Sequence, residues 1–414
     1  MMRARGTLIA FAAGAVAATV AVVALAQRVD PRRPQTVIVG TVPGPATTAR
    51  VDAQRTGLSR TTLPRGPLKA LWRKPLGAAI EHAPLVTDDQ IIVVTSRGEV
   101  QWLGLDGAEQ AKVFLALGAT GAPALLADGT VVVVTSGGEA VGVRKSGLRF
   151  RVQLGGDRTL TGRTVSLALP DGGVVVASGG ELSVLDAEGN VRARATAPEP
   201  PQGPLLASEG RILFTSATGV VYGWIAGRDV TRIGGFGGPV DGGMALDGPR
   251  TALAIVDGAR LVSLDLQNGS PIPRISLPGG AFLGPPAVRG GVAYMLAMVP
   301  GRTFVVGIDG SGQEVLRTLV TSVLPTLATA DAGATLSIPS HTGVLVDATG
   351  TVAYAAPEGA LGIVDPAGIV APVPDPICTR SSKSGGVAGL APAGNGTFIV
   401  ACESGTVARI VGPN

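Results

Sequence analysis

The feature that most constrains this chain is an internal repeat. From about Gly66 onward one pattern recurs eight times: a strand led by a small residue or proline, a polar turn, a valine-rich strand, a glycine turn, and a third strand often ending in Leu-Asp. The copies are Ala83–Gly107, Ala122–Gly147, Ser166–Gly189, Gly203–Gly227, Gly243–Gly269, Gly284–Gly310, Gly343–Gly368 and Leu390–Gly412. Across two units, 80 residues separate Asp106 from Asp186, and 79 separate Asp186 from Asp265. The next intervals, 44 to Asp309 and 56 to Asp365, place an insertion in the seventh unit. A period near 40 with three or four short strands per unit is the signature of a β-propeller.

The predicted fold is therefore all-β: an eight-bladed β-propeller over residues 66–414. Seven blades is the alternative, because the second and fourth units lack the aspartate. The eighth unit stops at Asn414 just after its third strand, while KALWRKPLG (Lys69–Gly77) is a strand with no unit before it. An open ring would leave sheet edges bare, so Lys69–Gly77 is predicted to be the outer strand of the last blade. Composition agrees: 61 glycines and 31 prolines suit many turns, and 45% hydrophobic residues exclude a disordered chain.

The first 26 residues read as a targeting segment. Arg3 and Arg5 precede the uncharged run Thr7–Ala26, which ends in Ala24-Leu25-Ala26, an A-x-A cleavage site. The alternative is an uncleaved anchor, since 20 apolar residues can span a bilayer. Either reading makes the rest periplasmic or otherwise extracytoplasmic; the second adds an inner-membrane tether through residues 7–26. Residues 27–65 read as linker and lead-in. The net charge is +4, and RVDPRR (Arg28–Arg33) is the one basic run, so no nucleic-acid partner is expected. Cys378 and Cys402 are the only cysteines, and an even pair in an exported protein usually means a disulfide. Buried free thiols or a metal or redox site are the alternatives.

DAQRTGLSR (Asp52–Arg60) offers two arginines, two hydroxyls and a glycine, the raw material of an anion site. A phosphate loop needs a helix N-terminus to aim its amides, and nothing helical follows. The stretch is better read as the docking lead-in that seats the closing strand. The repeated aspartates Asp106, Asp186, Asp265, Asp309 and Asp365 precede turns, where a carboxylate accepts hydrogen bonds from amides; their predicted role is structural.

The units resemble the pyrroloquinoline quinone-like β-propeller repeat family, on strings such as DGTVVVVTSGGE (Asp128–Glu139), GELSVLDAEGN (Gly180–Asn190) and ARLVSLDLQNG (Ala259–Gly269). The resemblance covers roughly Val51 to the C-terminus and includes the Asp-x-x-Arg-Thr-Gly-x-Ser lead-in. It implies the propeller and leaves function open, because one fold hosts many activities. Quinone enzymes of the family carry a tryptophan after each Leu-Asp turn, a vicinal cysteine pair and a calcium site. This chain has only Trp72, Trp102 and Trp224, its cysteines are not adjacent, and no such calcium constellation is visible. No cofactor and no metal site are expected, and a quinone-dependent dehydrogenase is disfavoured. In size and blade number the chain is similar to exported propeller scaffolds.

Two histidines, His82 and His341, fall at one phase when HAPLVTD (His82–Asp88) is aligned with HTGVLVD (His341–Asp347). Gln202 and Asp241 stand at about the same place in other units. One repeat phase maps to one ring around the axis, so His82, Gln202, Asp241 and His341 form a candidate ligand-binding collar at the channel mouth. The bland alternative is polar solvation of strand starts. With no catalytic set placed by spacing, the expected function is a non-catalytic scaffold binding a protein partner in the bacterial cell envelope. The alternative is an enzyme or small-ligand binder using His82, Asp241 and His341.

Overall fold

The computed structural model describes residues 51–155, 165–322, 343–357, 359–378, 386–394 and 396–413. Among them every regular element is a strand, and the strands form eight sheets. The chain is an eight-bladed β-propeller. Its blades follow the eight sequence units in order, from Leu85–Val86 at the inner edge of blade one to Glu109–Phe114 at its outer edge, and so on round the ring.

Blade eight fulfils the closure predicted from sequence. Its inner strands Val387–Pro392, Thr397–Cys402 and Thr406–Val411 come from the C-terminus, and Lys69–Pro75 pairs antiparallel with Thr406–Val411 as the outer strand. The N-terminus adds a second contact: Leu58–Ser59 pairs parallel with Val346–Asp347, making blade seven five-stranded.

Packing explains why the valine runs read as they do. Among the described residues the buried apolar side chains fall into eight clusters, each joining two successive blades. In blade two, Val131 and Val133 pack against blade one, while Val132 and Val134 pack against blade three. Successive residues of a strand point to opposite faces, and both faces are covered, so the run is apolar throughout. Each fully buried valine or leucine stabilises by about 1.5–3 kcal/mol.

A second contact recurs at the outer edge. Trp72 of the closing strand donates its indole N–H to the Leu105 carbonyl (2.9 Å), and Arg409 donates to the same oxygen (2.8 Å). The indole lies over Gly107 in the following turn, where a Cβ would sit 2.9 Å from the ring, and Gly107 has φ +83°. Phe150 covers Gly189 of blade three in the same way. The turn aspartates do what their sequence position predicts. Asp106 accepts the Ala108 amide, Asp186 those of Glu188 and Asn190, Asp265 that of Gln267, and Asp365 those of Ala367 and Ile369. Asp309 accepts the Ser311 hydroxyl and the Gln313 amide, which hold its carboxyl below the usual range.

Pro271–Ser276 is the outer strand of blade five and Ala281–Arg289 the inner strand of blade six. Pro271 and Pro273 are tolerated because they lie on an edge.

Candidate functional site

Each inner strand has two ends, and the lead-in occupies one of them. Val51 packs in the cluster between blades seven and eight, and Ala53 in the cluster between blades three and four. Two residues span at most about 7 Å, yet these interfaces lie on opposite sides of an eight-membered ring. The chain therefore crosses the axis here. It then runs round the ring, its backbone carbonyls bonding one blade after another. The carbonyls of Ala53, Gln54, Thr56 and Gly57 accept the amides of Ala207 (2.9 Å), Leu246 (3.1 Å), Val288 (2.7 Å) and Val346 (3.0 Å), in blades four to seven.

The side chains of DAQRTGLSR serve this path. Asp52 accepts the Thr56 amide (2.9 Å) and the Thr56 hydroxyl. Arg55 is buried, with 2% of its surface exposed, and its Nε donates to the Leu205 carbonyl at 2.7 Å. The crossing forces Val51 to φ 78° and Arg55 to φ 51°, conformations that cost about 1–3 kcal/mol each and persist only where surrounding contacts fix them. Asp347 anchors the exit. It is wholly buried, accepts the Leu63 amide at 2.8 Å on one oxygen, and accepts the Thr349 and Thr351 amides on the other.

The opposite ends of the inner strands hold Gln202 and Asp241, two of the residues predicted for a collar, and register decides which residues share their phase. Val240 pairs with Val256, and Ile80 and Ala119 bridge the matching residues Thr95 and Thr135. The next residues, Asp241, Glu81 and Thr120, therefore share one phase. Gln202 joins them, because its amide bonds the Thr215 carbonyl as the Thr120 amide bonds Val134. Glu81, Thr120 and Asp241 are exposed and Gln202 is half-buried. The half-buried His82 stands one residue further on, and one residue changes the face a strand residue presents. The cause is turn length. Blade one reverses over Thr87–Gln90, whereas blade seven reverses over Asp347–Thr351, so aligning the two histidines shifts one strand against the other. His341 lies outside the described residues, as does most of the insertion Ser322–Gly343.

Two carboxylates at this end differ in environment. Partial burial pushes the Asp241 carboxyl up, Asp257 pushes the same way, and a hydrogen bond from the Gly258 amide opposes both. Glu199, in the connection between blades three and four, is held down by the Ser216 hydroxyl and by Tyr222, whose hydroxyl donates to it at 2.9 Å. Burial, and then Glu199, raises the Tyr222 phenol. Thr218 donates to the same carboxylate at 3.1 Å. This clasp pins APEPPQGP (Ala197–Pro204) to blade four. Glu199 escaped the sequence reading because its donors lie 17 to 23 residues away, in the next blade. Glu81 and Thr120 were findable by counting five residues back from Val86 and Leu125, the last paired residues before each inner turn. Among the described residues, no group of three or more His, Cys, Asp or Glu side chains is placed to hold a metal ion.

This geometry defines a β-propeller fastened by its own N-terminus. Residues 69–154 match the family described as outer membrane protein assembly factor BamB. BamB from Moraxella catarrhalis superposes with a TM-score of 0.56 at 15% identity, covering 84% of this chain and 98% of that one. Quinohemoprotein alcohol dehydrogenase from Comamonas testosteroni gives 0.64 at 14% identity, covering 94% and 83%. The computationally designed Ika8 protein gives 0.61 at 13% identity, covering 85% and 99%. No curated protein matches the chain by sequence. The family match is confined to residues 69–154, and along the rest of the chain the solved structures share the β-propeller fold.

Proposed function

We propose that the protein is an exported, non-catalytic propeller that serves as a protein-interaction scaffold in the bacterial cell envelope. The observation that carries this reading is the pairing of a sequence match over residues 69–154 to an assembly-factor family with a fold match along 98% of the Moraxella BamB chain. Export is supported by Thr7–Ala26 with its A-x-A end and by the Cys378–Cys402 disulfide. The lead-in supports it physically: the chain's own backbone crosses the axis at one end, which leaves the rim and the connections between blades to meet a partner. That partner is a protein of the envelope, and residues 7–26, where uncleaved, are the inner-membrane tether.

A second reading has its own support, since the alcohol dehydrogenase fold covers 94% of this chain. In that reading a small ligand binds at the ends of the inner strands that carry Gln202 and Asp241, with His82 and His341 as the further candidate residues. Replacing both His82 and His341 by alanine separates the two. The scaffold reading predicts unchanged recovery of the envelope partner by the double variant. Loss of a small-molecule thermal shift that the wild type shows, with no partner recovered from either protein, would favour the enzyme.

No helix among the described residues is long and apolar enough to cross a membrane, and Thr7–Ala26 lies outside them.

A further inference from the structure

Three fastenings of the ring meet at the interface of blades seven and eight, beside the closing strand. One apolar cluster gathers Val51 and Leu63 of the lead-in, Leu68 just ahead of the closing strand, and both half-cystines, Cys378 and Cys402. The cysteines are bonded (S–S 2.02 Å) and shielded, with 3% and 0% of their surfaces exposed. Cys402 ends Thr397–Cys402, the strand next to Thr406–Val411, which in turn pairs with the closing strand. From the closing strand, Arg73 donates to the Pro376 carbonyl (3.2 Å) and pairs with Asp375 (3.5 Å), two and three residues before Cys378. The contacts form a circuit: closing strand, Arg73, the Asp375–Cys378 segment, the disulfide, the blade-eight strands, and the closing strand again.

We propose that the Cys378–Cys402 disulfide is a redox latch on ring closure, shielded while Lys69–Pro75 is seated and reducible only when that strand lifts. Thiol–disulfide exchange needs a thiolate to reach a sulfur, and neither sulfur is reachable from solvent in the closed ring. Lifting the closing strand breaks the Arg73 contacts and uncovers the cluster around both cysteines. A dithiol then attacks one sulfur to give a mixed disulfide, and its second thiol resolves it. The protein disulfide takes up two electrons and two protons to become two thiols, and the reagent leaves as a cyclic disulfide. With the bond gone, the Asp375–Cys378 segment no longer ties blade seven to blade eight, and the closing strand loses the support on which Arg73 rests.

The test uses the full chain, folded and without denaturant, with dithiothreitol as the probe. Appearance of free thiols is followed in the wild type, in Arg73→Ala, and in Arg317→Ala as a control on the outer strand of blade six. Arg73 contributes one exposed ion pair and one hydrogen bond, so its loss should speed reduction roughly fivefold, while Arg317→Ala keeps the wild-type rate. Hydrogen exchange on wild-type protein before and after reduction is the second readout. It should quicken over Lys69–Pro75 and Thr406–Val411 and stay unchanged in blades three to five. Equal reduction rates in wild type and Arg73→Ala, or exchange that is unchanged or quickened evenly in every blade, would overturn the proposal.

Discussion

Asp347 and Asp241 both belong to inner strands, and they sit in different surroundings. Asp347 is buried with three backbone amides aimed at its two oxygens. Asp347→Ala strands those donors, and each buried unsatisfied donor costs about 1–3 kcal/mol. Urea unfolding should show a loss of about 3 kcal/mol or more; a midpoint within error of wild type would mean that Leu63 is not anchored as described. Asp241 has its pKa raised by partial burial and by Asp257. A raised carboxyl adds stability below its unfolded pKa and loses it as pH climbs through the folded value, so the ionised form is a burden at neutrality. Asp241→Asn should therefore raise Tm by about a degree at pH 7 and give no gain near pH 3. Glu199 has the opposite sign: its clasp is intact at neutral pH and weakens as pH falls through the carboxylate range. Sequence showed Gln202 and Asp241 as polar strand starts. It could not phase His82, because one missing turn residue is invisible until the hairpin is paired.

At the scale of the element, strands were legible wherever both faces are buried, as in Val131–Val134. The outer strand Pro271–Ser276 was not, because edge prolines mimic a loop. The docking of each outer strand on the next turn was only half visible. The aspartates stood out, but their use of a following glycine as a seat for Trp72 or Phe150 requires knowing which blades touch. Gly107→Val tests that seat. Its Cβ would enter the Trp72 ring, at a φ of +83° that valine avoids. A loss of about 2–4 kcal/mol is expected, with quenching or red shift of Trp72 emission. A fully stable variant with unaltered fluorescence would remove the seat from the account.

For the whole molecule, the repeat period gave the eight blades, and the orphan strand Lys69–Gly77 gave the closure. The path of Val51–Ser59 was beyond reach, since a lead-in that bonds four blades in turn through its backbone carbonyls leaves no periodic trace. A chain beginning at Lys69 keeps the closing strand and loses this strap. Its Tm should fall by on the order of 10 °C, with exchange quickening at Ala207, Leu246, Val288 and Val346. Unchanged protection there would show that the strap adds nothing to the ring.

The scaffold reading requires that the propeller meets another protein through the surfaces its N-terminus leaves open. Site-specific photo-cross-linking in the native envelope tests this most directly, with the probe placed at Glu81 or Asp241 at the starts of the inner strands, or at Asp106 or Asp309 on the turns of the other end. The account predicts a discrete protein adduct from the Glu81 and Asp241 positions, reproduced when His82 and His341 are both alanine. No protein adduct from any of the four positions, together with a small-molecule thermal shift abolished by the two histidine changes, would contradict it.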